Sequence, residues 1–264
     1  MVKIMASSEL EKVLGQTDHR PYPLPAGPWV LRMRWHDLLF MHWPFPEDSL
    51  QPLIPPALKL DTFDGSAWLG VVPFRMTGVR PRYLPAVRWL SSFPELNVRT
   101  YVTHEDKPGI WFFSLDAHSP IAVRLARATF GLPYFDAEMS CEVFKDEVRY
   151  RSVRTHQGAP PARLAASYRP VGEPFDSRPG TLENFLTERY SLYSAGAANR
   201  ASGAGRVRRG DIHHRLWPLQ PAETEVEELE MTAQIGVTLP DTEPILHFAR
   251  RLDVVAWPPS RLHA

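Results

Sequence analysis

Residues 95–104 read ELNVRTYVTH. Leu96, Val98, Thr100 and Val102 fall on one side of this stretch, and Glu95, Asn97, Arg99 and Tyr101 on the other. That period of two is the signature of a β-strand. Upstream, Asp64-Gly65 makes a hairpin turn between LKLDTF and SAWLGVVPFRM, and WVLRMRWHDLLFMHW (29–43) is rich in strand formers, as one long strand or two. Downstream, IWFFSLDA, AEMSCEVF, VRYRSVR, ARLAASYRP and ILHFARRLDVVAWP continue the series. The 27 prolines are spread through the chain, which favours many short segments over long helices.

Helices are few. PEDSLQPLIPPAL holds a short one with acidic residues in its first turn. Ser119-Pro120 supplies an N-cap and a first-turn proline for a helix through Phe130, ended by Gly131. Thr181 caps a second, TLENFLTERYSLY, and an acidic helix is expected around Glu223–Gln234. Residues 195–205, AGAANRASGAG, read as a flexible loop. With no βαβ rhythm and no internal repeat, the expected fold is mainly β (α+β), an antiparallel barrel or sandwich with a few short helices. Residues 1–28 form an N-terminal arm, Pro-rich from 17, and 29–264 a single β-rich domain.

Composition narrows the function. Acidic and basic residues balance at 30 each, so no net field draws the chain to nucleic acid or an anionic membrane. No apolar run reaches transmembrane length or resembles a signal peptide, and the single cysteine, Cys141, excludes an internal disulfide; the chain reads as cytoplasmic. No GxSxG elbow, phosphate-binding glycine loop or HExxH occurs. His213 and His214 are adjacent and face opposite ways, while His36 and His42 share a strand face about 20 Å apart. No metal or other cofactor is expected.

The Glu95/Asn97/Arg99/Tyr101 row carries the functional signal. Such a row is ordinarily the solvated side of a sheet. Alternatively it faces an enclosed lumen, where a carboxylate, an amide and a guanidinium converge on a ligand. The same quoted stretches, with LIPPAL, FPELNVRTYV, GLPYF, FLTERYSLY and HHRLWPL, resemble the uncharacterised YqjF-like family (domain of unknown function 2071) from about Thr17 onward. That family is distantly similar to acetoacetate decarboxylase, which implies a β-barrel-like fold with an internal site. By that resemblance His36 falls near the position of the decarboxylase's N-terminal arginine, and Glu95 matches its pocket glutamate. LDAHSPIAVRLARATFGLPYF resembles the segment carrying the Schiff-base lysine, but Tyr134 and Phe135 stand where the lysine pair would be. A phenol and a benzene ring supply no amine, so Schiff-base decarboxylation is not expected.

Two functional readings follow. In the first, an enzyme acts on a small carbonyl or carboxylate compound, with Glu95 as base, Tyr134 as donor, and Arg99, or else Arg75, as carboxylate anchor. Asn97, Tyr101 and His36 contribute to binding, and Glu188, Arg189 and Tyr190 line the mouth, unless the first two are a plain ion pair. In the second, a non-catalytic protein binds a small carboxylate-bearing ligand in the same pocket. Both leave a homo-oligomer open.

Overall fold

The computed structural model describes residues 2–87, 90–195 and 207–262, with side chains from Glu9 onward. It is mostly β. The strands are β1 (Leu31–Phe45), β2 (Lys59–Leu60), β3 (Ala67–Pro81), β4 (Phe93–His104), β5 (Lys107–Ala117), β6 (Tyr134–Phe144) and β7 (Glu147–Arg154). They continue with β8 (Arg163–Pro170), β9 (Ser191–Ser194), β10 (Arg208–His213), β11 (Leu219–Leu229), β12 (Ile245–Ala256) and β13 (Ser260–Arg261). The helices are α1 (Val2–Gly15), α2 (Glu47–Leu50), α3 (Pro120–Thr129) and α4 (Leu182–Thr187). Among the described residues no helix is long and apolar enough to cross a membrane.

The architecture rests on a central sheet, β12–β1–β3–β4–β5. From its two edges the pairing continues in both directions. Strands β6, β7, β8 and β11 link β5 to β12 on one side, and β9 and β10 link the same two strands on the other. The result is a sandwich with the central sheet shared, and each face of that sheet buries its own apolar cluster. Leu96, Val98 and Val102 of β4 pack with Ala137, Met139, Val148 and Tyr150 on one face. Val72, Phe74, Tyr101, Phe112 and Leu115 pack with Leu186, Ile212 and Trp217 on the other. The parallel β5–β9 contact is so close that a Cβ on Gly109 would lie 2.4 Å from the Ser191 carbonyl oxygen, so only glycine fits there.

Two irregularities decide which core each residue enters. On β1, Asp37 has φ 54, and the register with β3 shifts beyond His36. Met33 belongs to the second core, Leu38 and Phe40 to that same core, but Leu39 and Met41 to the first. The inward residues are thus odd before Asp37 and even after it, the parity change a β-bulge imposes. On β5, Phe113 is the extra residue between the pairs Val98↔Ser114 and Arg99↔Phe112. Phe112 and Leu115 consequently face the same core.

Several expectations need correcting. The helix opened by Thr181 stops at Thr187: Glu188 leaves helical geometry with ψ 71, and residues 191–194 form β9. Pairing to β10 and the ties of Glu188 and Arg189 outweigh local helix propensity. The acidic segment expected to be helical is β11, registered against β8 from Ala222↔Pro170 to Leu229↔Leu164. Its glutamates project to solvent, so charge satisfied the strand's outer face. Asp64 and Gly65 do make the expected hairpin turn, closed by the Phe63↔Ser66 bridge, although β2 pairs with β4 rather than β3. His36 and His42 lie on opposite faces, because the Asp37 bulge intervenes. The glycine-rich loop lies, from residue 196, outside the described residues. The arm begins with α1, and beyond it Arg20 Nη1 donates to the Ile212 carbonyl at 2.8 Å, fastening the arm to β10.

Asp37 holds its bulge through three contacts. Its carboxylate takes Arg75 Nη2 and Arg250 Nη1, each at 3.1 Å, and its carbonyl accepts the Tyr168 hydroxyl at 2.7 Å. Both arginines are partly exposed, which reduces what the pairs contribute. Asp37→Ala should lower unfolding stability by about 2 kcal/mol, by leaving charges unmatched and by removing the short polar side chain that eases the left-handed backbone. Urea denaturation beside Asp37→Asn checks this, with the asparagine variant expected to lose less.

Candidate functional site

The second core is incompletely filled. Between the central sheet, β9–β10 and α3 lies a cavity of about 510 Å³ with predominantly apolar walls. Met33, Trp35, Val72, Phe74, Phe112, Leu115, Leu192, Ile212 and Trp217 line it, and Ala122, Leu125 and Ala126 of α3 border it. Trp35 stacks on Trp217 at 5.7 Å between ring centroids. The α3 wall is set by local signals: the Ser119 hydroxyl caps Ala122 N, Pro120 opens the helix, and Gly131 turns the chain with φ 66. The next residues drop directly into β6, placing Tyr134 at its first position.

Five of the residues singled out from sequence meet in this cavity: Glu95, Asn97, Arg99, Tyr134 and Arg189. Glu95, 3% exposed, accepts the Tyr134 hydroxyl on Oε2 at 2.7 Å. From the opposite face of the sheet, the Tyr150 hydroxyl donates to the Glu95 carbonyl at 2.7 Å and fixes that stretch of backbone. Burial pushes the Glu95 carboxyl up to about 8; the Tyr134 hydrogen bond opposes this, and Asp116 adds to it. Burial, with Glu95 beside it, drives the Tyr134 phenol well above its ordinary range. At neutral pH the pair is therefore two protonated, hydrogen-bonded groups.

Arg99 is placed differently. It is 6% exposed, with Nη2 donating to the Tyr101 hydroxyl at 3.3 Å and the Leu186 carbonyl at 3.2 Å. Its Nε has no partner, and among the described residues no carboxylate pairs with it. Asn97 Oδ1, two residues away, is likewise buried without a partner. Arg189, by contrast, is neutralised: Nη1 meets Asp61 Oδ2 at 2.6 Å and Nε donates to the Phe185 carbonyl at 2.6 Å.

The other expected site residues stand behind the wall or outside it. Tyr101 is fully buried and spans His42 Nε2 and the Leu186 carbonyl, both at 2.7 Å, so it supports Arg99 from beneath. Glu188 accepts Trp217 N at 3.0 Å and the Tyr190 hydroxyl, and burial pushes it up to about 7. It holds Trp217 in place, while Tyr190 packs against His214 at 4.7 Å. His36 and Arg75 do not reach the cavity. Their neighbours Trp35, Phe74 and Met76 line it, so strand alternation turns both outward. His36 Nε2 lies 2.8 Å from Thr77 Oγ1, and Arg75 is already paired with Asp37.

Sequence reasoning missed His214. Its Nδ1 donates to the Arg215 carbonyl at 2.7 Å, and burial lowers it to about 3, so it is neutral and its Nε2 is an acceptor on the cavity wall. The signal was there: of two adjacent histidines on a strand, one must face inward. Phe135 points away from the cavity, under the Arg154 guanidinium at 4.1 Å.

Comparison with known proteins fits this architecture. Residues 32–253 match the family model described as an uncharacterized conserved protein, domain of unknown function 2071. The chain belongs to this family. It is 44% identical over 235 residues to the uncharacterized protein YqjF of Bacillus subtilis (strain 168), covering 89% of this chain and 93% of YqjF. Among solved structures, an acetoacetate decarboxylase superposes with TM-score 0.61 at 12% identity, over 96% of this chain and 98% of that one. The enduracididine biosynthesis enzyme MppR, complexed with pyruvate, gives 0.59 at 11%, over 92% and 93%. At such identities the likeness is one of fold.

The proton on Glu95 has a thermodynamic consequence. An unfolded carboxyl titrates near 4.5 and the folded one near 8, so within that window the folded state binds more protons and stability falls as pH rises. Glu188 contributes in the same direction up to about 7. Glu95→Gln removes only the Glu95 share. Relative to the parent, it should gain about 2–4 kcal/mol between pH 5 and pH 9. Denaturation curves at both pH values test this, and a stability difference that does not change with pH would contradict it.

Proposed function

We propose that the cavity binds a small carboxylate-bearing molecule through Arg99 and that Glu95, with Tyr134, performs acid–base chemistry on its carbonyl portion without a Schiff base. The observation carrying this reading is the Arg99 guanidinium, buried in an apolar wall with no counter-ion among the described residues. A buried cation without an anion is costly, and a ligand carboxylate in the cavity would supply the missing charge. A protein of similar fold, MppR, is described in complex with pyruvate, which supports a ligand bearing a carboxylate.

Glu95 titrating near 8 suits acid–base work at neutral pH, since both protonation states are accessible. As a base it requires the ionised form, which the Tyr134 hydroxyl stabilises by its hydrogen bond. His214, with its Nδ1 spent on the Arg215 carbonyl, supplies an acceptor for orienting the substrate, and the Asn97 amide lies on the same wall. No lysine lines the cavity among the described residues, so the amine of a Schiff base has no source there. One observation favours the alternative of a non-catalytic binder: Glu95 and Tyr134 satisfy one another, an arrangement that needs no reaction to explain it.

Arg99→Lys should weaken carboxylate binding roughly tenfold to a hundredfold, because the planar two-point grip is lost. Arg99→Met should weaken the binding at least as much, yet leave unfolding stability unchanged or higher, since it removes an unmatched buried charge. A clear stability loss in the methionine variant would mark Arg99 as structural. Glu95→Gln should retain affinity and lose about 10²–10⁴ in turnover if Glu95 is the base, with the parent's rate rising through pH 8. Borohydride with acetoacetate should add no covalent mass; a reduced adduct on a lysine would overturn the assignment.

A further inference from the structure

The separation of the two polar ends of the cavity says how long its ligand is. Arg99 and Glu95 lie four residues apart on one face of β4, which places their Cα atoms roughly 13 Å apart. Their side chains do not converge. Arg99 leans away from Glu95, since Nη2 bonds Tyr101, two residues further along the strand, and the Leu186 carbonyl beyond it. Glu95 is held at its own end by Tyr134, on the strand that follows α3. Between these ends the walls are predominantly apolar, with Asn97 midway along the β4 row and His214 also on the wall. The cavity also continues under α3, where Leu125 borders it while being 60% exposed. A two- to four-carbon oxo acid anchored at Arg99 would stop well short of Glu95. It would also leave most of the 510 Å³ empty of its own atoms, a space equal to roughly seventeen waters at liquid volume.

We propose that the ligand is an elongated amphiphilic acid, a chain or fused-ring carboxylate of about eight to ten carbons, with its carboxylate on Arg99 and its body running past Asn97 to Glu95 and Tyr134. This rests on Arg99 being the carboxylate anchor. A hydroxyl or oxo group on the distal part of the body meets the Glu95–Tyr134 pair, and the Asn97 amide lies midway along its course. The apolar walls supply affinity in proportion to buried length, whereas the anchor supplies orientation.

Calorimetric titration of the full chain at pH 7 with acetate, butanoate, hexanoate, octanoate, decanoate and pyruvate tests this, with each acid kept below its aggregation concentration. Affinity should rise about fourfold per added methylene from butanoate to decanoate at one site per chain. 1-Decanol, the same length without charge, should bind at least about tenfold weaker, and Arg99→Met should bring decanoate down to that level. If pyruvate or acetate binds as tightly as decanoate, and only through Arg99, the elongated ligand is ruled out while the anchor stands. If no acid shows dependence on Arg99, the anchor itself falls, and the length argument with it.

Discussion

Side chains on a β-strand alternate strictly, and in a sheet buried on both faces that alternation assigns each residue to one of two cores. The central sheet is such a sheet, so every site residue it carries depends on phase. The bulge at Asp37 and the extra residue at Phe113 reset that phase within β1 and β5. Without the first, Leu38 and Phe40 would exchange places with Leu39 and Met41, and Phe40 would no longer lie 5.3 Å from the Arg99 guanidinium. Without the second, Phe112 and Leu115 could not both line the cavity. Asp37 keeps its left-handed backbone only because two arginines and Tyr168 surround it. The cavity is thus shaped by an ion-pair cluster on the opposite face of the sheet.

The electrostatics follow from that shape. A cavity walled by Trp, Phe, Leu and Ile makes charge expensive, and the groups inside it respond in different ways. Glu95 and His214 become neutral, because their ordinary pKa values leave room for it. The Arg99 guanidinium, among the described residues, is met by neutral oxygens and by no carboxylate. Arg189 escapes the same predicament through Asp61. Two guanidiniums on neighbouring elements therefore have opposite characters: one is a closed pair that ties α4 to the segment after β2, and the other is an open valence toward the cavity.

Much of this was legible in the chain. The alternation of ELNVRTYVTH sets the two faces of β4, and the Ser-Pro start and glycine stop of α3 are local chemistry that tertiary context leaves intact. What could not be read were features made by distant partners. The Glu-rich β11 has helical composition and becomes a strand because β8 pairs with it. Glu188 and Arg189 extend a helical pattern, but Trp217 N and Asp61 pull them out of it. His36 was placed by resemblance and Arg75 as an alternative anchor, while the shared face of His36 and His42 came from counting twos, and nothing in HDLLF announces that Asp37 adopts φ 54. Period-two reasoning holds up to a bulge and inverts after it.

Tyr134 shows how one position can change the chemistry of a site while the fold persists. Its place after GLP matches the position where the resemblance to acetoacetate decarboxylase would put an amine. An ammonium beside Glu95 would favour the carboxylate and hold its pKa down, and the two would titrate as a coupled pair. A phenol offers only a neutral hydrogen bond, which lowers the Glu95 pKa less than burial raises it. Replacing amine by phenol therefore removes the nucleophile and at the same time protonates the acid beside it. It also removes the one cation at that end of the cavity, leaving Arg99, at the other end of the β4 row, as the unmatched positive charge. In this chain the unpaired guanidinium and the hydrogen-bonded Glu95–Tyr134 pair are consequently at opposite ends of the β4 row.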